Sequence, residues 1–517
     1  MKIIRRLTLT RAQTTVFTKV NKQMLLGLSA FAALFFALGA WVYASPVGSD
    51  PDSSFHLTTI WCADGTKPNI CQDEKILNFE NVSSVAVPLG VALANGCAPG
   101  TPGQSANCVN DILANKDFSY TKNYDSYGLY PKGYYWTANK LVSENVVNSV
   151  LRIRFMNLFV FLFLIASANI LLAKNLRRGL NVTLLVTLVP LGLFLITSTN
   201  PSSWAITGNS TYWAFLYSFL TLEKSYRQKL CGVLAVVSAG VAMLARADSA
   251  AFIVLTSVVV ILACISRCTE LRQQIYYRAL LPVVICIPAW NIFSGTAQGQ
   301  VAFSGFAPGN FGRDHLATTL WNITRLPGLF AGIFGYPSAG GGLGWLDTAM
   351  PEIVVFGGVV VLGIVVSTFL VFRTYFEATV ITGFALMVCA IPLSVLYRDT
   401  AIISENFQSR YILPLLFPVI GLIVMRGDVT RRMPISVRSL IVLLSTMGYL
   451  VAMHTTIRRY VTGNDVMDWN LNRAKEWWWT DALSPMTILW CGTISFLYVV
   501  LRVVFTNLNE ESISSDV

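Results

Sequence analysis

Long apolar runs separated by polar segments are the feature that most restricts how this chain can fold. A helix needs roughly 20 mostly apolar residues to cross the hydrocarbon core of a bilayer. Runs of about this length recur along the 517 residues, of which 54% are hydrophobic and only 13% charged. A soluble domain carries about a quarter charged residues. The pattern predicts an all-α polytopic membrane protein.

Twelve runs are long enough to be candidate spans. They cover 24–44, 153–173, 180–198, 204–221, 230–246, 249–266, 279–294, 352–372, 378–396, 411–425, 439–456 and 485–505. The runs at 204–221, 230–246 and 279–294 are the weakest, and re-entrant or half-buried segments are the alternative for them. The first run is longer than the apolar core of a typical signal peptide, so we interpret it as a retained anchor.

The spans divide the chain into an ordered set of segments. These are a basic N-terminus (1–23), the first span (24–44), a long outer segment with an interfacial helix (45–150), spans two to seven (151–294), a Gly-rich outer segment (295–350), spans eight to eleven (351–456), an aromatic outer segment (457–484), the last span (485–505) and a tail (506–517). Because binding and catalytic groups tend to collect on long loops, we expect the working face on the outer side.

The distribution of Lys and Arg predicts the orientation of the spans. If the N-terminus is cytoplasmic, the inner segments hold more than half of the 38 Lys and Arg, although they make up less than a fifth of the chain. Short loops rich in Lys and Arg stay in the cytoplasm. We therefore expect a multi-pass cell-membrane protein with both termini cytoplasmic. The net charge of +11 follows from this bias, and without a basic soluble domain it does not indicate nucleic-acid binding.

Four of the ten cysteines lie in the first outer segment, namely Cys62, Cys71, Cys97 and Cys108. An even set in one polar segment indicates two disulfides, which persist only in an oxidising compartment. Three pairings are open, and we favour the local pairs Cys62–Cys71 and Cys97–Cys108. A zinc site is the competing interpretation, but the spacings are not those of CxxC motifs.

Two acidic residues and a histidine follow the first span directly, in SPVGSDPDSSFH. Ionisable groups near membrane depth are costly, which makes Asp50, Asp52 and His56 functional candidates. If a helix resumes after Pro51, Asp52 and His56 share one face. A carboxylate beside an imidazole can accept a proton from an attacking hydroxyl. The alternative is that Asp52 only caps the helix.

Arginines recur where spans meet the outer face. They are Arg152, Arg154, Arg246, Arg410, Arg458 and Arg459, with Asp248 and Tyr411 beside two of them. Guanidinium groups bind phosphate in a bidentate way, so together these side chains could hold a lipid phosphate. Two alternatives stay open: Arg246 could pair with Asp248, and the arginines could be snorkelling anchors.

The segment YPKGYYWTANKLVSENVVNSVLRIRF predicts a helix that lies on the membrane surface. Tyr134, Tyr135 and Trp136 suit the headgroup level, where amphipathic rings are favoured. The segment is either a plain interfacial anchor or a substrate-facing element.

The order of these motifs resembles that of a known family. DPDSSFH, YPKGYYWTANKLV, LRIRFMN and SRYILPLLFP follow one another as in an uncharacterised bacterial family of polytopic membrane proteins, of actinobacterial type, catalogued as a domain of unknown function. The family pattern is roughly Asp-Glu-x-x-His, Pro-Pro-x-Tyr-Tyr, Leu-Arg-x-x-Asn and Gly-Arg-Tyr-x-x-Pro. Here Ser53 stands in place of the Glu, Lys132 in place of the second Pro, and Ser409 in place of the Gly. That family in turn resembles the GT-C glycosyltransferases.

The resemblance implies a GT-C-like fold and an inverting transfer of sugar from a polyprenyl-phosphate donor to a cell-envelope glycan acceptor. GT-C enzymes carry a catalytic Asp at the end of the first span, a role that falls on Asp52, with Asp50 as the substitute for the missing carboxylate. His56 would orient the base or contact the acceptor. Arg410, with Arg152 or Arg154, would bind the donor phosphate. The missing carboxylate puts a divalent metal near Asp50 and Asp52 in doubt, and no other cofactor is implied.

Two other functions stay open. A transporter or flippase of lipid-linked saccharides would carry inverted repeats and charges at mid-membrane, and the sequence shows no repeat. A non-catalytic envelope assembly protein would use the disulfide-containing segment 45–150 to bind a partner. The sequence has no P-loop, so a nucleotide-driven pump is not expected.

Overall fold

Helices make up most of the computed structural model. The structure describes residues 25–77, 82–96, 99–265, 277–304, 311–337, 341–372, 374–405, 407–426 and 433–507. In chain order its helices are α1 (Leu25–Val42), α2 (Ser53–Cys62), α3 (Leu89–Ala92), α4 (Cys108–Ala114), α5 (Lys132–Asn139), α6 (Val146–Leu171), α7 (Lys174–Thr187), α8 (Leu191–Ile196), α9 (Ser202–Thr221), α10 (Tyr226–Met243), α11 (Ala247–Ile265), α12 (Leu280–Gly295), α13 (Ala297–Ser304), α14 (His315–Ala331), α15 (Glu352–Phe369), α16 (Tyr375–Asp399), α17 (Ser409–Arg426), α18 (Ile435–Val461) and α19 (Pro485–Arg502).

A small antiparallel sheet departs from the expected all-α class. Its strands are β1 (Gln72–Leu77), β2 (Val82–Pro88) and β3 (Phe118–Thr121), in the order β1-β2-β3. All three belong to the segment between α1 and α6. The prediction of an all-α chain is therefore wrong for this segment, where the short strands carry none of the long apolar runs on which the prediction rested.

Seven helices in the described ranges are long and apolar enough to cross a membrane. They are α1, α6, α11, α15, α16, α18 and α19, the last counted to Phe505. Two further apolar helices, α12 and the segment Ser409–Met425 of α17, are shorter. The structure thus supports a protein with several membrane-spanning helices, whereas the number of twelve spans stays a prediction.

Proline and polar side chains explain why three helices in the other predicted spans, α7, α8 and α9, are short or less apolar. The run at 180–198 is divided between α7 and α8, because Pro190 follows α7 and cannot continue its hydrogen-bond ladder. Polar residues lower the hydropathy of α9, where Asn209 and Thr211 bond to carbonyls one turn earlier. Nearly every residue of α9 is buried, and the helix packs against α6, α10, α11 and α17. This places α9 at the centre of the bundle.

The segment between α1 and α6 is a folded unit, whose apolar core also takes in Trp204, Tyr460 and Trp477 from later parts of the chain. Residues of α2, β2 and α5 contribute to this core, among them Trp61, Val87 and Tyr134. A disulfide with an S–S distance of 2.00 Å joins Cys62 to Cys71, which confirms the first predicted pair. The unit is thus held together by buried apolar side chains and by at least one covalent link.

The second predicted disulfide involves a residue that the structure does not describe. Cys108 is disulfide-bonded, while its predicted partner, Cys97, lies outside the described residues. The extracytoplasmic position of this segment, which the disulfide argument favoured, stays a prediction.

The predicted interfacial helix is divided into α5 and the start of α6, and its tyrosines point inward. Tyr134 and Tyr135 are fully or almost fully buried. The hydroxyl of Tyr134 donates to the carbonyl oxygen of Thr199 at 2.7 Å, in the connection between α8 and α9. Of the three aromatic residues, only Trp136 has the exposed ring that an interfacial position requires. The interfacial interpretation is wrong for the two tyrosines, because their hydroxyls have partners in the interior.

Gly48 allows the turn after α1 to approach α3, and this contact generates a test of the fold. Its φ is +82°, and a Cβ placed on it would lie 1.8 Å from the carbonyl oxygen of Ala94. We expect Gly48→Ala to destabilise the protein by more than about 1 kcal/mol, since a left-handed backbone alone costs about this much for alanine. The thermal unfolding midpoint of the purified protein in detergent measures the effect.

Gly27→Ala in α1 is the matched control, because a Cβ at Gly27 meets nothing within 4 Å. We expect no fall in its unfolding midpoint. Equal midpoints for the two variants would contradict the close packing of the turn against α3.

Candidate functional site

Asp52 stands at the N-cap position of α2, but its side chain does not cap that helix. Its backbone has φ 56° and ψ 27°, a left-handed conformation that is uncommon for a residue other than glycine. The carboxylate instead accepts a hydrogen bond from Nη2 of Arg410 at 2.7 Å. This contact joins the start of α2 to the start of α17. The capping alternative is therefore wrong for the side chain of Asp52.

The two members of this ion pair differ in exposure. The side chain of Arg410 is 3% exposed, whereas that of Asp52 is 48% exposed. Nη2 of Arg410 also donates to the hydroxyl of Tyr411 at 3.1 Å. The Nε and Nη1 atoms of Arg410 are buried and have no hydrogen-bond partner among the described residues. Because unpaired buried donors are costly, these N–H groups are available to a further anionic ligand.

A second buried arginine lies beside the pair. Arg246, between α10 and α11, donates to both carboxylate oxygens of Asp248, from Nε at 3.0 Å and from Nη2 at 2.7 Å. Its guanidinium carbon lies 5.1 Å from the ring centroid of Tyr411, and that of Arg410 lies 5.0 Å from the same centroid. The predicted alternative of an Arg246–Asp248 pair is therefore present, and Tyr411 connects this pair to Arg410.

His56 lies one helical turn after Asp52 and is buried. Its Nδ1 is 2.8 Å from the hydroxyl of Tyr135, and its Nε2 has no hydrogen-bond partner among the residues that the structure describes. Burial lowers the pKa of His56 from 6.5 to about 3. Burial acts to raise the pKa of Asp52, but the charge and hydrogen bond of Arg410, together with the charges of neighbouring groups, outweigh it, and the pKa of this carboxyl is below its usual value. At neutral pH the site thus holds an ionised carboxylate and a neutral imidazole.

Tyr130 is a member of the cluster that the sequence analysis did not single out. Its ring meets that of His56 edge-on at 5.4 Å, and the guanidinium carbon of Arg246 lies 5.7 Å from its centroid. Burial raises the pKa of Tyr130 to about 12, so its hydroxyl stays protonated at neutral pH. The available signal was its position directly before Pro131 in the YPKGYYW motif.

Arg154 fixes the turn after α1 and is not part of this cluster. It is fully buried, and it donates at 2.7 to 2.9 Å to three backbone carbonyls, those of Val42, Ser45 and Pro46. Carbonyls at the end of a helix lack hydrogen-bond donors within the helix, and the guanidinium of Arg154 provides these donors. Its predicted role in binding the donor phosphate therefore has no support in its contacts.

Asp50 belongs to the same buried group as Arg154. Its Oδ1 lies 3.6 Å from Nη2 of Arg154, and its Oδ2 accepts from the backbone N and the hydroxyl of Thr199 at 2.8 and 2.6 Å. Asp50 is 1% exposed. Its Oδ1 has no hydrogen-bond partner among the described residues. Because the carboxylate is enclosed and faces Arg154 and Thr199, it does not supply the second carboxylate that the motif lacks at Ser53.

The other predicted arginines lie outside the cluster. Arg459 pairs with Asp347 at 3.3 Å and donates to the carbonyl of Gln104, so it joins three parts of the chain that are far apart in sequence. Arg458 is partly buried and makes no ion pair within the described part of the chain. Arg152 is exposed on α6. Six of the predicted site residues thus lie together in one cluster: Asp52, His56, Arg246, Asp248, Arg410 and Tyr411.

The residues present near Asp52 do not form an evident metal site. The described ranges contain no group of three or more His, Cys, Asp or Glu side chains that could hold a metal ion. Asp50 and Asp52 have different partners, as described above.

The pKa of His56 generates a prediction about stability and pH. Its value in the folded protein, about 3, lies below the ordinary 6.5, so the unfolded chain binds more protons between these values. The contribution of His56 to the free energy of unfolding is therefore fully present above pH 6.5 and is lost as the pH falls from 6.5 toward 3. We expect a loss of about 2 kcal/mol between pH 7 and pH 5. Thermal unfolding as a function of pH measures it.

His56→Gln should remove most of this pH dependence, whereas His315→Gln, at an exposed histidine on α14, should keep it. A pH dependence in His56→Gln equal to that of the unsubstituted protein would show that His56 is not held neutral by its surroundings.

Comparison with known proteins identifies the family of the chain. The family described as "Predicted membrane protein (DUF2142)" matches residues 35–419, a range that contains all of the cluster around Asp52. No curated protein matches the chain, and no solved structure does. The match covers more than half of the sequence and confirms the resemblance to a family of unknown function, while the further likeness to GT-C enzymes stays a prediction. The chain is a member of the DUF2142 family of membrane proteins.

Proposed function

We propose that the chain is a membrane glycosyltransferase of the GT-C type, which transfers a sugar from a polyprenyl-phosphate donor to a cell-envelope glycan at the extracytoplasmic face. The observation that carries the proposal is the pairing of a half-exposed carboxylate, Asp52, with a buried guanidinium, Arg410, at 2.7 Å. One group can accept a proton and the other can bind a phosphate, at adjacent positions.

Asp52 has the properties of a general base. Its carboxylate is ionised at neutral pH, and it is open on one side, so an acceptor hydroxyl can reach it. A base must lie within hydrogen-bond reach of the proton that it abstracts. The left-handed backbone of Asp52 is consistent with this role, since residues held in uncommon conformations cluster at functional sites.

Arg410 has the properties of a phosphate-binding group. Two of its three nitrogens, Nε and Nη1, are buried without a partner among the described residues. An anion bound there is attracted strongly, because little water is present to screen the charge. Arg246 already binds both carboxylate oxygens of Asp248. We therefore propose that Arg246 holds the ring of Tyr411 in place and does not bind the phosphate directly.

The proposed step balances in atoms and charge. The acceptor hydroxyl gives its proton to Asp52 as its oxygen forms a bond to the anomeric carbon from the face opposite the phosphate. The bond between that carbon and the phosphate oxygen breaks, and the polyprenyl phosphate leaves with the electron pair. The proton removes the negative charge of Asp52 while the phosphate gains one, so Arg410 compensates the leaving group in place of the carboxylate.

Binding of the donor also strengthens the base. The charge of Arg410 lowers the pKa of Asp52 in the absence of a ligand. A donor phosphate that shares this guanidinium reduces the effect, and the carboxylate becomes a better proton acceptor when a donor is present. The pair thus links donor binding to activation of the acceptor.

Asp52→Asn tests the proposal, because it removes the base and keeps the shape of the side chain. The assay follows the release of polyprenyl phosphate from a panel of polyprenyl-phosphate sugars by protein in nanodiscs, with glycan acceptors. We expect a rate at least about 100-fold below that of the unsubstituted protein. Binding of polyprenyl phosphate should be equal or tighter, since Arg410 has lost its competing partner.

Asp468→Asn is the matched control. Asp468 is half-buried and lies outside the cluster around Asp52, where its Oδ1 accepts from the backbone N of Asn470 at 2.8 Å and its Oδ2 lies 3.9 Å from Arg473. We expect no change in rate. An unchanged rate in Asp52→Asn would contradict the assignment of the base. Transport of an intact lipid-linked saccharide, or the absence of any released polyprenyl phosphate with the unsubstituted protein, would favour the flippase or the envelope assembly protein instead.

A further inference from the structure

A groove between α5 and α6 lies apart from the cluster around Asp52. Its volume is about 750 Å³, and the residues that define it are Trp136, Lys140, Leu151, Arg152, Phe155 and Phe159. This volume is in the range of roughly 300–1,000 Å³ that is typical of pockets for small ligands. None of its lining residues belongs to the cluster, so the groove is a separate binding surface.

The groove has a cationic end. Arg152 is exposed, and it makes no ion pair or hydrogen bond within the described part of the chain. Lys140 is 46% exposed and pairs with Asp64 at 3.0 Å, and its ammonium lies 4.5 Å from the ring centroid of Trp136. The charge of Lys140 is thus partly compensated, whereas that of Arg152 is not. The cationic end therefore attracts an anion mainly through Arg152.

The rest of the groove is apolar and follows a helix that crosses the membrane. Arg152, Phe155 and Phe159 are spaced at i, i+3 and i+7 in α6, so they lie on one face of the helix. The 26 residues of α6 span about 39 Å, which exceeds the hydrocarbon thickness of roughly 30 Å. We therefore expect Arg152, in the second turn, at headgroup level and the two phenylalanines one and two turns deeper.

We propose that this groove binds one anionic phospholipid of the surrounding membrane. The phosphate contacts Arg152 and Lys140, the exposed Trp136 lies beside the headgroup, and an acyl chain packs along Leu151, Phe155 and Phe159. Charge complementarity at one end and apolar side chains along the other match this class of ligand. The inference does not depend on sugar transfer, because no residue of the groove takes part in the proposed reaction.

Native mass spectrometry of the full chain in detergent, titrated with phosphatidylglycerol, tests the proposal. We expect Arg152→Gln to weaken the tightest binding event about five-fold, the effect of one cation near a lipid phosphate. Lys140→Gln should weaken it less. Arg325→Gln is the matched control, because Arg325 is exposed like Arg152 but lies outside the groove, where its guanidinium carbon is 4.2 Å from the ring centroid of Trp321.

Three results would overturn the proposal. One is phosphatidylglycerol binding that is equal in Arg152→Gln and the unsubstituted protein, and another is equal loss in Arg152→Gln and Arg325→Gln. The third is displacement of phosphatidylglycerol from this site by polyprenyl phosphate at lower concentration, which would make the groove part of the donor site. Retained glycosyl transfer in Arg152→Gln with weakened lipid binding would support the proposal and leave the proposed function intact.

Discussion

The ion pair between Asp52 and Arg410 is the interaction on which the rest of the site depends. Burial of a guanidinium is costly unless an anion compensates it, and Arg410 is almost completely buried. Asp52, at the start of α2 and far from Arg410 in sequence, supplies that anion. The compensation is incomplete, because two nitrogens of Arg410 have no partner among the described residues. A site that holds one anion and has donors left for another is suited to a charged substrate.

A second buried ion pair positions the first. Arg154 binds the carbonyls at the end of α1 and approaches Asp50, and Asp50 in turn binds Thr199. These contacts fix the turn that leads from α1 to Asp52. Removal of one member of a buried pair leaves an uncompensated charge, which typically costs 3–5 kcal/mol. We therefore interpret Asp50 and Arg154 as positioning residues, which hold the backbone that presents Asp52 to Arg410.

Sequence reasoning selected the residues of the site but could not separate their roles. Arg152 and Arg154 are two positions apart in α6, about 200° around the helix, so one is exposed and the other buried. Asp50 and Asp52 differ in the same way, because the turn between them directs one carboxylate inward and the other toward Arg410. These differences arise from the path of the backbone, and the spacing of residue types does not contain them.

Prediction of the fold from the sequence has the same limit. Long apolar runs predicted the seven helices that can cross a membrane. The central helix α9 gave a weak signal, because a helix buried in protein can carry Ser, Thr and Asn that bond to its own carbonyls. The segment between α1 and α6 gave only local signals, such as the Cys62–Cys71 pair, since its core is assembled from short elements such as α2, β2 and α5 that come together only in three dimensions.

The central claim is that one buried guanidinium, which already binds a carboxylate, also binds a lipid phosphate. A cryo-EM structure of the chain in nanodiscs with polyprenyl phosphate tests it most directly. The account predicts phosphate density about 3 Å from the Nε or Nη1 of Arg410, with the carboxylate of Asp52 turned toward the open side of the site. An unchanged Asp52–Arg410 pair, with the phosphate bound elsewhere on the protein, would contradict it.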